Sequence, residues 1–507
     1  MDTNSDSSPP RRGLASTVRS AWQTVGNASL LVTCGVLAVW AGLSLAGLRT
    51  ADREAGAGPP PPREPARAVP LSFHVGPDGE STNPGTPSAP LDLATALSAS
   101  SPARPGDTIW VGDGVYRGSF RSQLRGTALA PIVVRQWPGA RAIIDATSSA
   151  DSALFVEGAF TWFWGLEIRS GHPLRTSSQP HAADLQRGAG VTAHAPGAKF
   201  INLLVHDMKN GIEVWASAPD AEVYGNVIFN NGYAAEDRGH GHGIYAQNRF
   251  GTLRIADNVM FSGFSHGIHV YGSDAAYLDN VQLDGNIVFN SGQLSPFFER
   301  NLLLGGGRAA ASPVVTANYT YYSSERRGGE NNLGYAAGCS GLVARDNYWA
   351  HPRQYPLVIG ANCTGVVENN VIIGFFSDDA RARFPDNDVR GQDPSGLDVF
   401  VRPNRYESGR ANVVVFNWDR ARTVDVPLDG AGLRDGMRFE VTDAQNIFGG
   451  AVVSGVFAPG LVIALPMDGV EIAQPVGAAP LAAAHTGREF GAFIVRPLAD
   501  QRRPPLD

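Results

Sequence analysis

The chain has 507 residues, 18% of them charged, and a formal net charge of −7. That length admits two or three domains with cores of their own, and the acidic balance leaves no basic face to hold nucleic acid. With 59 Gly and 35 Pro the composition is turn-rich and loop-rich, and Lys199 and Lys209 are the only lysines.

Residues 29–48, SLLVTCGVLAVWAGLSLAGL, carry no charge over twenty positions. That is enough for one helix to span a bilayer. Arg11, Arg12 and Arg19 precede it, which places residues 1–28 on the cytoplasmic side. Cleavage as a signal peptide is the rival expectation, but the run is longer than a usual signal core and no small-x-small site follows it. Residues 49–70 include GPPPPREPARAVP, a semi-rigid tether. The body is therefore expected in the periplasm or extracellular space, as a single-pass protein of the inner membrane or as a secreted one.

The body opens with FHVGPDGESTNPGTPSAPLDLATALS (73–98), PGDTIWVGDGVYRG (105–118) and GTALAPIVVRQWPGARAIID (126–145). From residue 188 one pattern recurs. Short apolar strands stand at GVTAH (190–194), GIEVW (211–215), GIYAQ (243–247), GIHVY (267–271), NLLLG (301–305) and NLGYA (332–336). Each is followed by an Asn that leads an apolar run, at Asn202, Asn226, Asn258, Asn286, Asn318, Asn347 and Asn370, with spacings of 24, 32, 28, 32, 29 and 23. A period in that range marks a solenoid. Short strands between Gly/Asn turns, without helical periodicity, predict a parallel β-helix with the asparagines stacked as an internal ladder. Cys339 and Cys363 are 24 residues apart, close to one period, so they fall nearly above one another on adjacent coils. Strand spacing of about 4.8 Å then permits a disulfide, with two buried thiols as the alternative.

Together these stretches resemble right-handed parallel β-helix proteins of the polysaccharide-lyase type, in the pectate-lyase-like superfamily, which includes alginate lyases, chondroitin lyases and relatives of mannuronan C5-epimerases. The resemblance covers about residues 73–375. It implies a short capping helix over 91–99, first rungs in GDTIWVGDGVYRG, and a β-helix domain over 71–376. The same solenoid hosts lyases, hydrolases, epimerases and adhesins, so fold alone does not give activity. After a polar loop (377–396), LDVFVRPNRYESGRANVVVFNW, TVDVPL, MRFEV, GLVIALP and EFGAFIV alternate as an all-β sandwich over 397–507. The predicted fold is thus all-β: β-helix, then β-sandwich, behind an N-terminal transmembrane helix.

Strand alternation sorts the outward side chains. One column is Thr192, Glu213, Tyr245, His269 and Leu303; its neighbour is His194, Trp215, Gln247 and Tyr271. Such rings stack on sugars while Glu, Gln and His bond hydroxyls, so a polymer groove is expected, unless a loop or the sandwich covers Trp215 and Tyr271. In the turn before each strand lie Asn210, His242, His266 and Arg300. His240, His242 and His266 can approach one another, yet no carboxylate or thiolate sits beside them at a fixed spacing, so no metal site is assigned. No cofactor is required; calcium on carboxylates such as Glu236 and Asp237 is the alternative. Protein partners are left open.

For a uronate polymer, a base removes the C5 proton and a cation stabilises the carboxylate as charge builds. His266 or His269 is the expected base, Arg300 the neutraliser, Tyr245 the donor, and Glu213 a binding or acid/base group. Trp215, Tyr271, Gln247, His242, His194 and Asn210 are expected to bind substrate. Lys209 lies three rungs from Arg300, about 14 Å, too far to share one carbon with it. No lysine–arginine pair and no acidic calcium cluster on successive rungs follow the lyase pattern. Hydrolysis by Glu213 with a loop carboxylate (Asp207, Glu236, Asp237 or Glu299) therefore stays open, as does a non-catalytic glycan-binding or envelope scaffold.

Overall fold

A computed structural model describes residues 69–179, 182–323, 328–469 and 471–498. The expected membrane anchor and most of the tether lie outside these residues. Among the described residues, no helix is long and apolar enough to cross a membrane.

Three parallel sheets of 11, 9 and 11 strands run the length of the solenoid. We call them sheets 1, 2 and 3. Each full coil contributes one strand to each, in the order sheet 2, sheet 1, sheet 3. The coil of Ile212–Val214, Glu222–Tyr224 and Val227–Phe229 is followed by that of Ile244–Ala246, Leu253–Ala256 and Val259–Phe261, residue over residue. This is a parallel β-helix. Inward positions of sheet 2, such as Val191, Ile212, Ile244, Ile268 and Leu302, stack into one aliphatic file that is fully buried. The helix Leu93–Leu97, N-capped by Asp92, buries Leu93, Ala96 and Leu97 in the same core.

The asparagine ladder is present. Asn226, Asn258, Asn286, Asn318, Asn347, Asn370 and Asn387 follow one another, each Nδ2 donating to the next Oδ1 at 2.7–2.9 Å. Each of those oxygens also accepts the backbone N–H of the preceding Asn. Two expectations are corrected. Asn202 is not a rung: it has φ of 51° and bonds Glu407 and Asn404, while the N–H of Leu203 meets Asn226 Oδ1 at 2.8 Å. The repeat slips there by one residue. At the other end the ladder reaches Asn387, inside the stretch expected to be a loop. That stretch holds the helix Asp378–Arg383 and the strand Asp388–Gly391, which adds a last rung to sheet 3. The strand's charged, mostly exposed side chains hide it from apolar periodicity. The disulfide Cys339–Cys363 joins adjacent coils.

The C-terminal part is an antiparallel five-stranded sheet facing a two-stranded one, with its own core. It closes the outside of sheet 3. Phe229, Phe261, Phe289, Tyr321 and Tyr348 pack against Val414, Phe416, Phe490 and Ile494. Arg402 pairs with Asp257 at 2.6 Å, and the hydroxyls of Tyr321 and Tyr348 donate to Glu489 and Asp398. With sheet 3 covered, and the middle of sheet 1 met by Arg405 and Tyr406, the outer face of sheet 2 and the ends of sheet 1 are left to meet other molecules.

Asn286→Ala removes one rung and takes away the acceptor of the Asn258 backbone N–H and of one of the two Asn258 Nδ2 hydrogens, and the side-chain donor to the Ile255 carbonyl. Urea unfolding should show a loss of about 1–3 kcal/mol or more; a change under about 0.5 kcal/mol would mean that the ladder does not hold the coils.

Candidate functional site

Backbone register builds the floor of the site on sheet 2. Thr192, Glu213, Tyr245, His269 and Leu303 lie one above another on five successive coils, as alternation predicts. The turn column is in step with them: the N–H of His242 donates to Asn210 Oδ1 at 2.8 Å, and that of Gly243 to the carbonyl of His266.

Glu213 accepts from Thr192 Oγ1 at 3.0 Å and from Asn210 Nδ2 at 2.6 Å. Burial nonetheless raises its pKa, and burial lowers that of Lys209, each charge only partly sustaining the other. Lys209 and Glu213 are four residues apart, across the turn that leads into the strand, and each feels the other's charge.

Three of the four central histidines converge. His269 Nδ1 is 3.1 Å from His242 Nε2, so the two nitrogens share one proton. Ring centroids are 4.3 Å apart for His242–His269, 4.7 Å for His266–His269 and 5.5 Å for His242–His266. Burial, then neighbouring positive groups, push His242 and His269 well below 6.5, so both rings are neutral at neutral pH. His242 Nδ1 is buried without a hydrogen-bond partner. His266 Nδ1 is 2.9 Å from Glu299 Oε2 and 3.1 Å from the N–H of Arg300. Only one can hold at a time: Nδ1 without a proton accepts from Arg300, and Nδ1 carrying one donates to Glu299. His240 stays apart, bonded to Asp237 and stacked on Tyr233 within its own hairpin.

Tyr245 donates to the carbonyl of Tyr271 at 2.9 Å and accepts from Gln247 Nε2 at 2.8 Å. Burial pushes its hydroxyl up to about 12, so it keeps its proton. Arg300 donates to Glu330 at 2.9 Å; Glu330 does not stand out in the sequence, and Glu299 is legible there only as a loop carboxylate, not as the neighbour of His266. A file of rings continues along the face: Phe155–His194 at 5.3 Å, His194–Trp215 at 6.0 Å and Trp215–Tyr245 at 5.4 Å, with Tyr271 stacked on His269 at 4.7 Å. Trp215 and Tyr271 remain partly exposed.

The loop carboxylates are elsewhere engaged. Asp207 is buried against Arg175, His206 and the N–H of Val476, and Asp237 bonds His240. Glu236 is exposed in its loop. Among the described residues, no group of three or more His, Cys, Asp or Glu is placed to hold a metal ion. A hollow of about 760 Å³ lies at the seam of solenoid and sandwich, lined by Asn290, Phe297, Tyr322 and His485 among others. It shares no residue with the histidine cluster.

No protein-family model and no curated protein matches the chain. Among solved structures it is similar to pectate lyase Pel9A, at 16% identity and a TM-score of 0.45 over 64% of this chain and 79% of that one. A rhamnogalacturonan lyase gives 16% and 0.46 over 64% and 88%. An alginate lyase from Paenibacillus sp. gives 17% and 0.35 over 59% and 94%. At these identities and TM-scores the likeness carries no argument, and the fold rests on the strand pairing itself.

Because His242 and His269 are held below 6.5 in the fold, the unfolded chain takes up protons first as pH falls. Their contribution to stability is full above about 6.5 and is lost as pH falls through their folded values. His206 has the opposite sign: against the effect of burial, Asp207 and Glu167 raise it, so its contribution is present below 6.5 and fades as pH rises through its folded value. The double variant His242→Gln/His269→Gln, which leaves His206 in place, should lose less Tm than the parent between about pH 7 and about pH 5. Equal losses would show that the pair is not held neutral by the fold.

Proposed function

We propose that the sheet 2 face binds an extended acidic polysaccharide and acts on it by proton transfer at C5 of a uronate, as a lyase or C5-epimerase. The observation that carries this is the neutral His242–His269 pair lying against Tyr245 in the middle of a file of aromatic rings. The rings of Phe155, His194, Trp215 and Tyr271 stack on successive sugars, and Asn210, Gln247 and Glu213 take hydroxyls. A neutral imidazole can accept the C5 proton, and His242 steadies the ring that gains it. Tyr245, protonated at neutral pH, supplies a proton to the leaving oxygen or to the opposite face of the carbanion. Arg300, whose charge is felt at His269, meets the substrate carboxylate in competition with Glu330. No cofactor takes part in these steps.

Hydrolysis has one point in its favour, the raised pKa of Glu213, which suits a general acid. Against it, Glu213 is the only carboxylate on the described strands of sheet 2, and hydrolysis usually needs two. If residues 29–48 span the inner membrane, the body works in the envelope on glycan held or passing there.

Uronate polymers incubated with the protein should yield an unsaturated product by absorbance or inverted C5 centres by NMR. His269→Gln and Tyr245→Phe should each lower turnover about a hundredfold or more without changing the fold. Reducing ends released from neutral glycans, and abolished by Glu213→Gln, would replace this function with hydrolysis. Binding that is lost in Trp215→Ala, with turnover absent on every polymer, would make the protein a scaffold.

A further inference from the structure

Sheet 1 carries a second file of rings, at the end where the solenoid begins. Register places His74, Trp110, Arg135 and Trp164 on four successive coils. The Arg135 guanidinium lies 5.1 Å from the ring of Trp110 and 4.0 Å from that of Trp164. Trp137 adds a ring 5.2 Å from Trp110 and 5.0 Å from His74. All five side chains are partly exposed. Tyr406 of the sandwich, 5.8 Å from Trp164 and 6.0 Å from Trp162, walls off the far end.

Arg135 is the unusual member. Most surface arginines here have a carboxylate: Arg141 has Glu167, Arg300 has Glu330, Arg345 has Glu368 and Arg402 has Asp257. The Arg135 side chain makes no hydrogen bond or ion pair among the described residues, and its Nε is buried without a partner. Nearby Lys199 adds positive charge over Trp162, and Glu222 is already paired with Lys199 and Arg405. The shelf therefore offers flat apolar rings around a guanidinium that has no ion pair, with Glu407 close enough for its charge to be felt there. Two indoles flank that guanidinium, and a guanidinium packed on rings can still offer paired N–H groups to the two oxygens of a carboxylate.

We infer that this shelf is a second binding surface for an acidic polysaccharide, the rings of Trp110, Trp137 and Trp164 stacking on sugars while Arg135 takes a uronate carboxylate. Charge complementarity selects an acidic glycan over a neutral one. The surface lies on a different sheet from the histidine cluster and does not depend on the chemistry assigned there. By holding one stretch of polymer it raises the local concentration of the rest.

Affinity electrophoresis of the full chain in alginate, polygalacturonate and a neutral β-glucan tests this. The parent should bind at least one acidic polymer, less tightly as salt rises, and bind the neutral glucan more weakly. Arg135→Gln and Trp110→Ala should each weaken acidic binding about tenfold or more, and Arg135→Gln should flatten the salt dependence. In His269→Gln, where turnover is the function at risk, shelf binding should persist. The inference is overturned if the parent binds neither acidic polymer, if it prefers the neutral glucan, or if Arg135→Gln binds as the parent does. Turnover with unaltered Arg135→Gln binding would sink the shelf alone; absent turnover with weakened Arg135→Gln binding would sink only the sheet 2 chemistry.

Discussion

The register between coils is the constraint on which every other feature depends. A parallel strand that slips by one residue turns all its side chains to the opposite face. In this chain the buried amides of Asn226 through Asn387 bind each turn to the next at a fixed residue, so slippage would leave several polar groups buried and unpaired. The same residue-over-residue stacking that puts Ile212 over Ile244 and Ile268 in the core puts Glu213 over Tyr245 and His269 outside. Core and site are two faces of one alignment, and stability and placement of chemistry cannot be separated in it.

Much of this was legible because β alternation is simple. Once Ile212 and Val214 are taken as buried, Glu213 must face out, and the Tyr245 and His269 positions follow by analogy. The slip at Asn202 was not legible, since an Asn followed by three apolar residues looks the same whether the ladder position is Asn202 or Leu203. Asn387 was hidden for a different reason: its strand, DVRG, closes the solenoid and has little apolar surface to bury. The covering of sheet 3 did leave a trace. VIF, VMF and IVF at 227–229, 259–261 and 287–289 are apolar at every position, which is what a strand buried on both faces requires.

Side-chain partners that come from turns were the least readable part of the site. Glu299 and Glu330 decide what His266 and Arg300 can do, yet both sit in irregular segments where no period fixes their direction. Lys209 shows the converse. Its distance from Arg300 was read from rung spacing, but its closeness to Glu213 depends on one turn. The histidines divide on the same principle: His242, His266 and His269 belong to the repeating frame and meet, whereas His240 belongs to an inserted hairpin and is retained by Asp237. What results is a patch where burial disfavours charge on Glu213, Lys209, His242 and His269 alike, so that groups ordinarily ionised or half-ionised stand ready to exchange protons.

The account turns on abstraction of a sugar proton by that patch. A uronate polymer deuterated at C5 puts this to the most direct test, with label released to solvent measured by NMR. The parent protein should release deuterium, and His269→Gln should retain nearly all of it. Chain scission by the parent with the C5 label fully retained would contradict the account.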